Sequence, residues 1–290
     1  MKLEQEMSIS MCVLGSGSGG NSTVVRFMDD TTLKYYMVDV GFSPREIRKR
    51  LGHPGVAIEQ IEGIFITHLH RDHFNDGWDK FYQDRNIPVY LHEMHLRLWK
   101  DFGRSLQGVH LFGDELSLED GLSIQTVPLP HDQQGSVGYV FEFRDTRLGF
   151  ATDLGHVPKR LHKEFRRLDA LAFECNYDPD LQRNSRRPAY LKRRVMGSYG
   201  HLSNQQAIKA IQTMAEQSDF QHIVLLHRSQ QCNTIHHIEQ LVTDQIPHLQ
   251  SRIRYTDQRE PTDWFDIYPA EQGTHPISLK PQDQMELFTL

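Results

Sequence analysis

Six consecutive residues, His68-Leu69-His70-Arg71-Asp72-His73, hold four side chains of the kinds that bind divalent metal ions. Neutral imidazole and carboxylate are the donors that zinc and manganese accept. The run follows Ile64, Phe65, Ile66 and Thr67, which read as a buried strand, so the polar groups leave a rigid element at its end. A His-x-His pair leaving a strand turns two imidazoles toward one point, while an Asp and a His two or three residues further on, at the start of a helix, face a second point. Two metal ions could then share one loop and ionise a water near neutral pH, which is the chemistry of hydrolysis. A phosphodiester gains most from such a pair, because both the attacking oxygen and a non-bridging oxygen of an already anionic group can be clamped. Lactams and thioesters are also open to it.

The HLHRDH run, with VDVG and IFITH ahead of it, resembles the signature of the metallo-β-lactamase superfamily. That resemblance implies an α/β fold, the four-layered αββα sandwich, with two divalent ions, Zn2+ or Mn2+. It also implies three further ligands. His131 in PLPHDQQGSVGYVFEF and Asp153 in GFATDLG resemble the third and fourth motifs, and His227 in VLLHRSQQCN fits the last. By carry-over His68, His70 and His131 hold one ion, Asp72, His73 and His227 the other, and Asp153 bridges. Read without the family, His131 is a turn histidine beside Pro130 and His227 a buried strand end. Asp39, in the VDVG turn, is similar to a family aspartate that orients the metal loop by hydrogen bonds.

FECNYD, GSYGHLSN and VLLHRSQQCN occur in the order and with the content of the YycJ/WalJ-like branch, related to tRNA-processing RNase Z. The branch implies a DNA exonuclease of repair or replication, with Glu174 and His201 near the metals beside Asp72 in a proton relay. His201 would then protonate the leaving oxygen. Between those motifs LQRNSRRPAYLKRRVMGS carries Arg183, Arg186, Arg187, Lys192, Arg193 and Arg194 with no acidic residue, a local reversal in a chain of net charge −6. We expect it to bind phosphates leading into the cleft. Tyr190 within it could stack on a base or pack. Arg228 and Cys232 depart from the branch pattern. RNA processing or a small diester would use the same metals; a thioesterase or lactonase would leave the basic run and GHLSN without a role; an adaptor for a replication or repair partner would make catalysis secondary.

The elements that must position these residues are short strands up to about Asp153, among them MCVLG, STVVRF, YYMVDV, GIFIT, PVYLH, LSIQTV, GYVFEF and LGFATD. Helices are expected at SPREIRKRL, around Asp72–Asp84 and around Glu93–Phe102. A clearer one starts at Ser203, where Ser203 and Gln206 form a capping-box pattern and the strand HIVLL follows. LGSGSGGNS lacks the Lys of a P-loop and precedes a strand, so it reads as a hairpin near the active-site floor, where Asn21 or Ser22 could touch substrate. Three cysteines, Cys12, Cys175 and Cys232, fit neither a disulfide framework nor a Cys-rich zinc site, so histidines and carboxylates must supply the ligands. The charged N-terminus and the lack of a long apolar run predict a cytoplasmic protein with no membrane span. Residues 1–270 are expected to form the catalytic domain and 271–290 a flexible tail. In that tail Gln284, Met285, Leu287 and Phe288, within QMELF, look like the pentapeptide that docks on the DNA sliding clamp.

Overall fold

The computed structural model describes residues 8–269. Strands β1 (Ser8–Gly15), β2 (Ser22–Met28), β3 (Leu33–Val38), β4 (Ile61–Ile66), β5 (Val89–His92) and β6 (Val109–Phe112) line up in sequence order as one sheet. The second sheet takes β7 (Glu115–Ser117), β8 (Leu122–Leu129), β9 (Ser136–Phe143), β10 (Thr146–Ala151), β11 (Ala170–Glu174), β12 (His222–Leu226) and β13 (Ile253–Tyr255), while β14 (Phe265–Ile267) returns to pair with β1. In each sheet a run of hairpins gives way to parallel strands, from β3 to β6 and from β10 to β13.

Three apolar layers hold the sandwich. Between the sheets lie Met11, Val13, Phe27, Phe65, Tyr139 and Phe141. On the outer face of the first sheet, α1 (Pro44–Leu51), α2 (Trp78–Asp84) and α3 (Leu96–Asp101) bury Ile47, Trp78, Tyr82 and Trp99 against Cys12, Met37, Ile64 and Ile66. On the second, α4 (Lys159–Glu164) packs beside two longer helices described below. Strands covered on both faces lose the apolar/polar alternation, which is why GIFIT and HIVLL read as continuous apolar runs. The αββα architecture expected from the sequence is the one observed.

Two helices of the basic run, α5 (Pro179–Asn184) and α6 (Ala189–Val195), were not expected; their Leu181, Leu191 and Val195 pack on Tyr177 and Cys232. The helix after Ser203, α7 (Asn204–Ala215), has the expected cap: Ser203 Oγ accepts from Gln206 N, and the Gln206 side chain accepts from Ser203 N at 2.9 Å. Another, α8 (Ile235–Gln245), packs with α7 on the second sheet through Ile238 and Val242. The helix expected from Asp72 is corrected: it starts at Trp78, and residues 71–73 form turns. The carbonyls of Asp72 and His73 are taken by the backbone N–H groups of Asn21 (2.7 Å) and Val40 (2.8 Å), so they cannot start a helical ladder. Gly41 is required here, because a Cβ would lie 1.8 Å from the Asp72 carbonyl oxygen.

Far from the strand ends that carry these loops, the sheets are joined by an ion pair between a buried aspartate and an exposed arginine. Asp29, in the β2–β3 turn, accepts from Thr31 N (2.8 Å), Thr32 N (2.7 Å) and Arg144 Nε (2.8 Å), the last from the β9–β10 turn. Burial opposes the charge, but Arg144 and the Thr31 and Thr32 donors more than offset it and hold Asp29 well below the usual carboxylate range. Its contribution to stability is therefore complete above the unfolded-chain value of about 3.9 and fades as pH falls through the folded-state value. Asp29→Asn should cost about 1.5–3 kcal/mol at pH 7, the range for hydrogen bonds to charged groups. Thermal melts of the two proteins should converge as pH falls below 4; a gap that stays constant would contradict this.

Candidate metal centre

Six strand ends converge on one point. β3 leads to Asp39, β4 to Thr67 and His68, β8 to His131, β10 to Asp153, β11 ends in Glu174 and β12 leads to His227. Asp39, Asp153 and His227 adopt φ of 60°, 54° and 53°, left-handed values that cost non-glycine residues energy and gather where surroundings over-determine the backbone. Asp39 is 1% exposed; its Oδ1 accepts from Thr67 N (2.8 Å), and its Oδ2 faces Thr67 Oγ1 (2.7 Å) and His73 Nδ1 (2.6 Å). That contact turns the other nitrogen of His73 inward. His131 is oriented the same way, with Nδ1 donating to the Gly200 carbonyl at 2.9 Å.

The donor atoms of His68, His70 and His131 lie within 4.8 Å of one another, as do those of Asp72, His73 and His227. His68 Nε2 and His70 Nδ1 are 3.0 Å apart. Asp153 touches both groups: its Oδ2 is 3.2 Å from His73 Nε2, and its Oδ1 is 3.8 Å from His131 Nε2 and 3.3 Å from His227 Nδ1. His227 Nε2 is buried with no hydrogen-bond partner and points to Asp72 Oδ2, 3.8 Å away. An orphaned imidazole nitrogen among carboxylates and further imidazoles is a donor set that a divalent cation completes. The residues present therefore fit metal ions, and divalent-metal binding is what this fold implies.

The two groups differ in charge. Burial, with the crowding of neighbouring imidazoles, lowers His68, His70 and His131, which leaves them neutral with lone pairs free. Burial also opposes charge on His73 and His227, but Asp153 and Asp39 raise His73 well above its ordinary value, and Asp153, Asp72 and Glu174 raise His227 to about 10. Asp153, despite complete burial, is held well below the carboxylate range by His227 and His73. Protons at these nitrogens must leave before a cation uses them, so metal uptake releases protons.

Glu174, fully buried, ties three segments together. Oε1 lies 2.7 Å from His201 Nδ1 and 3.1 Å from His227 Nδ1, and Oε2 accepts from Leu154 N and Leu202 N at 3.1 Å each. His201 Nδ1 is also 3.5 Å from Asp153 Oδ1. His201 and Asp72 line a cavity of about 430 Å³ over the donor groups, and Arg187, Leu191 and Arg194 form its wall.

All seven metal-ligand candidates and both Glu174 and His201 are thus brought to one place. The basic segment divides. Arg187 and Arg194 reach the cavity, the former hydrogen-bonded to Gln182, Gln231 and Ser229, the latter paired with Asp132. Arg183 pairs with Asp180 and Lys192 donates to the Arg183 carbonyl, while Arg186 and Arg193 are exposed; these four do not line the cavity. Tyr190 does not pack, being 67% exposed. Asn21 and Ser22 are buried and hold the loop: Asn21 Nδ2 meets Gly17 O, Asp72 O and His73 Nε2, and Ser22 Oγ donates to Asp39 O. Sequence reasoning missed Asp132, 3.3 Å from His70 Nε2, and Asn176, whose Nδ2 donates to the His227 carbonyl at 2.7 Å. Gln284, Met285, Leu287 and Phe288 lie outside the described residues. Among the described residues no helix is long and apolar enough to cross a membrane.

Residues 34–227 match the family described as the beta-lactamase superfamily domain. The exodeoxyribonuclease YycJ of Bacillus anthracis is 28% identical over 236 residues, covering 77% of this chain and 83% of its own. Among solved structures, the metallo-β-lactamase fold protein YhfI from Bacillus subtilis superposes with a TM-score of 0.64 at 13% identity, over 89% of this chain and 99% of its own. A diphosphatase of the PhnP family gives 0.62 at 18%, over 90% and 99%. The order of the strands, the convergence of their ends and the matched residues lead to one conclusion: the chain belongs to the beta-lactamase superfamily domain family and is a hydrolase of the metallo-β-lactamase fold.

Proposed function

We propose that the protein is a dinuclear metal-dependent phosphodiesterase acting on nucleic acid, and specifically a DNA exonuclease of repair or replication. The observation that carries this reading is the sharing of Asp153 by two adjacent donor groups under a cavity walled by Arg187 and Arg194. His68, His70 and His131 would hold one ion, and Asp72, His73 and His227 the other, with zinc or manganese as the metal. Such ions, when bound, supply an ionised water and neutralise the charge that develops on phosphorus. The chain does the rest. Asp39 and Gly200 fix the tautomers of His73 and His131 through their outer nitrogens. Glu174 holds His201 Nδ1 and so leaves Nε2 facing the cavity, placed to give a proton to the leaving oxygen. Arg187 and Arg194 attract the phosphates of the incoming strand. The name of the B. anthracis relative supports DNA as the polymer.

Residues 1–270 make up the catalytic domain in this reading. Residues 271–290 tether it, with Gln284, Met285, Leu287 and Phe288 docking on the sliding clamp and raising the local concentration of an acidic enzyme on DNA.

His68→Ala and Asp153→Ala should abolish hydrolysis of bis-p-nitrophenyl phosphate and of end-labelled DNA while the circular dichroism spectrum is kept. His201→Ala should lower kcat by about 100-fold or more, the scale of a lost general acid, with metal content unchanged. Arg187→Gln/Arg194→Gln should raise KM for DNA and flatten its salt dependence while sparing the small diester. Full activity of the His68 or Asp153 variants, or in excess chelator, would overturn the reading. For the tail, Leu287→Ala/Phe288→Ala should remove binding of the purified clamp at tens of micromolar; undiminished binding would contradict the tether.

A further inference from the structure

Beside the metal cavity, and sharing His70, Asp132 and Arg194 with it, lies a more open groove of about 870 Å³. Its lining includes the half-buried Leu98 and the exposed Gln133 and Gln134. Two of its lining residues are aromatic and face solvent, Phe102 at 53% exposure and Tyr199 at 60%. Exposed rings of this size cost hydrophobic free energy, so a pair of them in one groove next to an active site calls for an occupant.

Phe102 is not a loose side chain. Its ring sits 4.9 Å from the Arg104 guanidinium, which is itself fixed by Asp79 (2.9 Å) and Asp76 (2.8 Å) and lies 4.6 Å from Phe74. An anchored cation thus backs the ring and leaves it a defined platform. Tyr199 is set by its backbone: its carbonyl accepts from Asp132 N at 2.7 Å, next to the candidate ligand His131. The groove therefore joins two exposed aromatic rings, a polar lining that includes Gln133 and Gln134, and a border of His70, Asp132 and Arg194 shared with the metal cavity. Those are the features that receive unpaired bases, which stack on aromatic faces without sequence preference.

We infer that the groove between Phe102 and Tyr199 holds nucleobases of a single-stranded polynucleotide whose backbone phosphate enters the metal cavity. This deepens the phosphodiesterase reading, on which it rests, by naming an unpaired strand as the substrate. A duplex end would have to be melted to occupy it.

The test uses the full chain and fluorescence anisotropy with cleavage-resistant, phosphorothioate-linked oligothymidylate, its abasic counterpart of equal length and charge, and oligouridylate. Wild type should prefer the base-bearing strands over the abasic one. Phe102→Ala/Tyr199→Ala should weaken them by roughly 10- to 100-fold, the scale of stacking on two rings, and erase the preference, with the melting temperature and turnover of bis-p-nitrophenyl phosphate unchanged. Phe102→Trp, which keeps a stacking face, should retain binding. Loss on whichever polymer the wild type binds, DNA or RNA, supports the inference and identifies the sugar. Equal binding by the double variant, no preference for bases, or no binding by the wild type overturns it. Absence of small-diester turnover in a wild type that still discriminates bases would remove the phosphodiesterase reading and leave the groove.

Discussion

Three carboxylates, Asp39, Asp153 and Glu174, are 2% exposed or less, and much of the rest of the molecule follows from surrounding them with hydrogen bonds and imidazoles there; those partners hold Asp153 and Glu174 below the usual carboxylate range, while burial pushes Asp39 above it despite His73. An ionised carboxylate out of water is tolerated when hydrogen bonds and opposite charge surround it. Asp39 is surrounded by Thr67 and His73, Glu174 by two backbone N–H groups and two imidazoles, and Asp153 by His73, His227 and His201. Those partners come from strand ends far apart in sequence. The sandwich is the frame that brings them together, and the left-handed φ values at Asp39, Asp153 and His227 are the local cost.

That arrangement also divides the imidazoles. Burial, reinforced by neighbouring imidazoles, keeps His68, His70 and His131 neutral; at His73 and His227 the carboxylates that face them outweigh burial and hold the protons tightly. The same field that retains protons at the second group attracts a divalent cation to it, so the two halves of the site present different charge to an incoming ion.

The parts of this site that lie close in sequence were legible in it. HLHRDH announces itself because no packing demand gathers such residues at a strand end, and the Ser203–Gln206 cap is a local rule that the structure keeps. His131, Asp153 and His227 are single residues just past the ends of separate strands, and only their likeness to family motifs marked them. Asp132 and Asn176 carried no signal, since their partners lie dozens of residues away and any polar residue in a turn looks the same; Asn21 stood out in the glycine-rich loop, but as a substrate contact rather than as the residue that holds the metal loop. The helix placed at Asp72 failed for a related reason: tertiary hydrogen bonds from Asn21 and Val40 took the carbonyls it needed. The basic run hid two short helices because its charges mask Leu181, Leu191 and Val195.

The central claim is that two cations share Asp153. Anomalous diffraction from crystals grown with zinc or manganese tests it most directly. The account predicts two peaks about 3.5–4 Å apart, one among His68, His70 and His131, the other among Asp72, His73 and His227, with Asp153 between them. A single peak, or peaks away from these side chains, would contradict it.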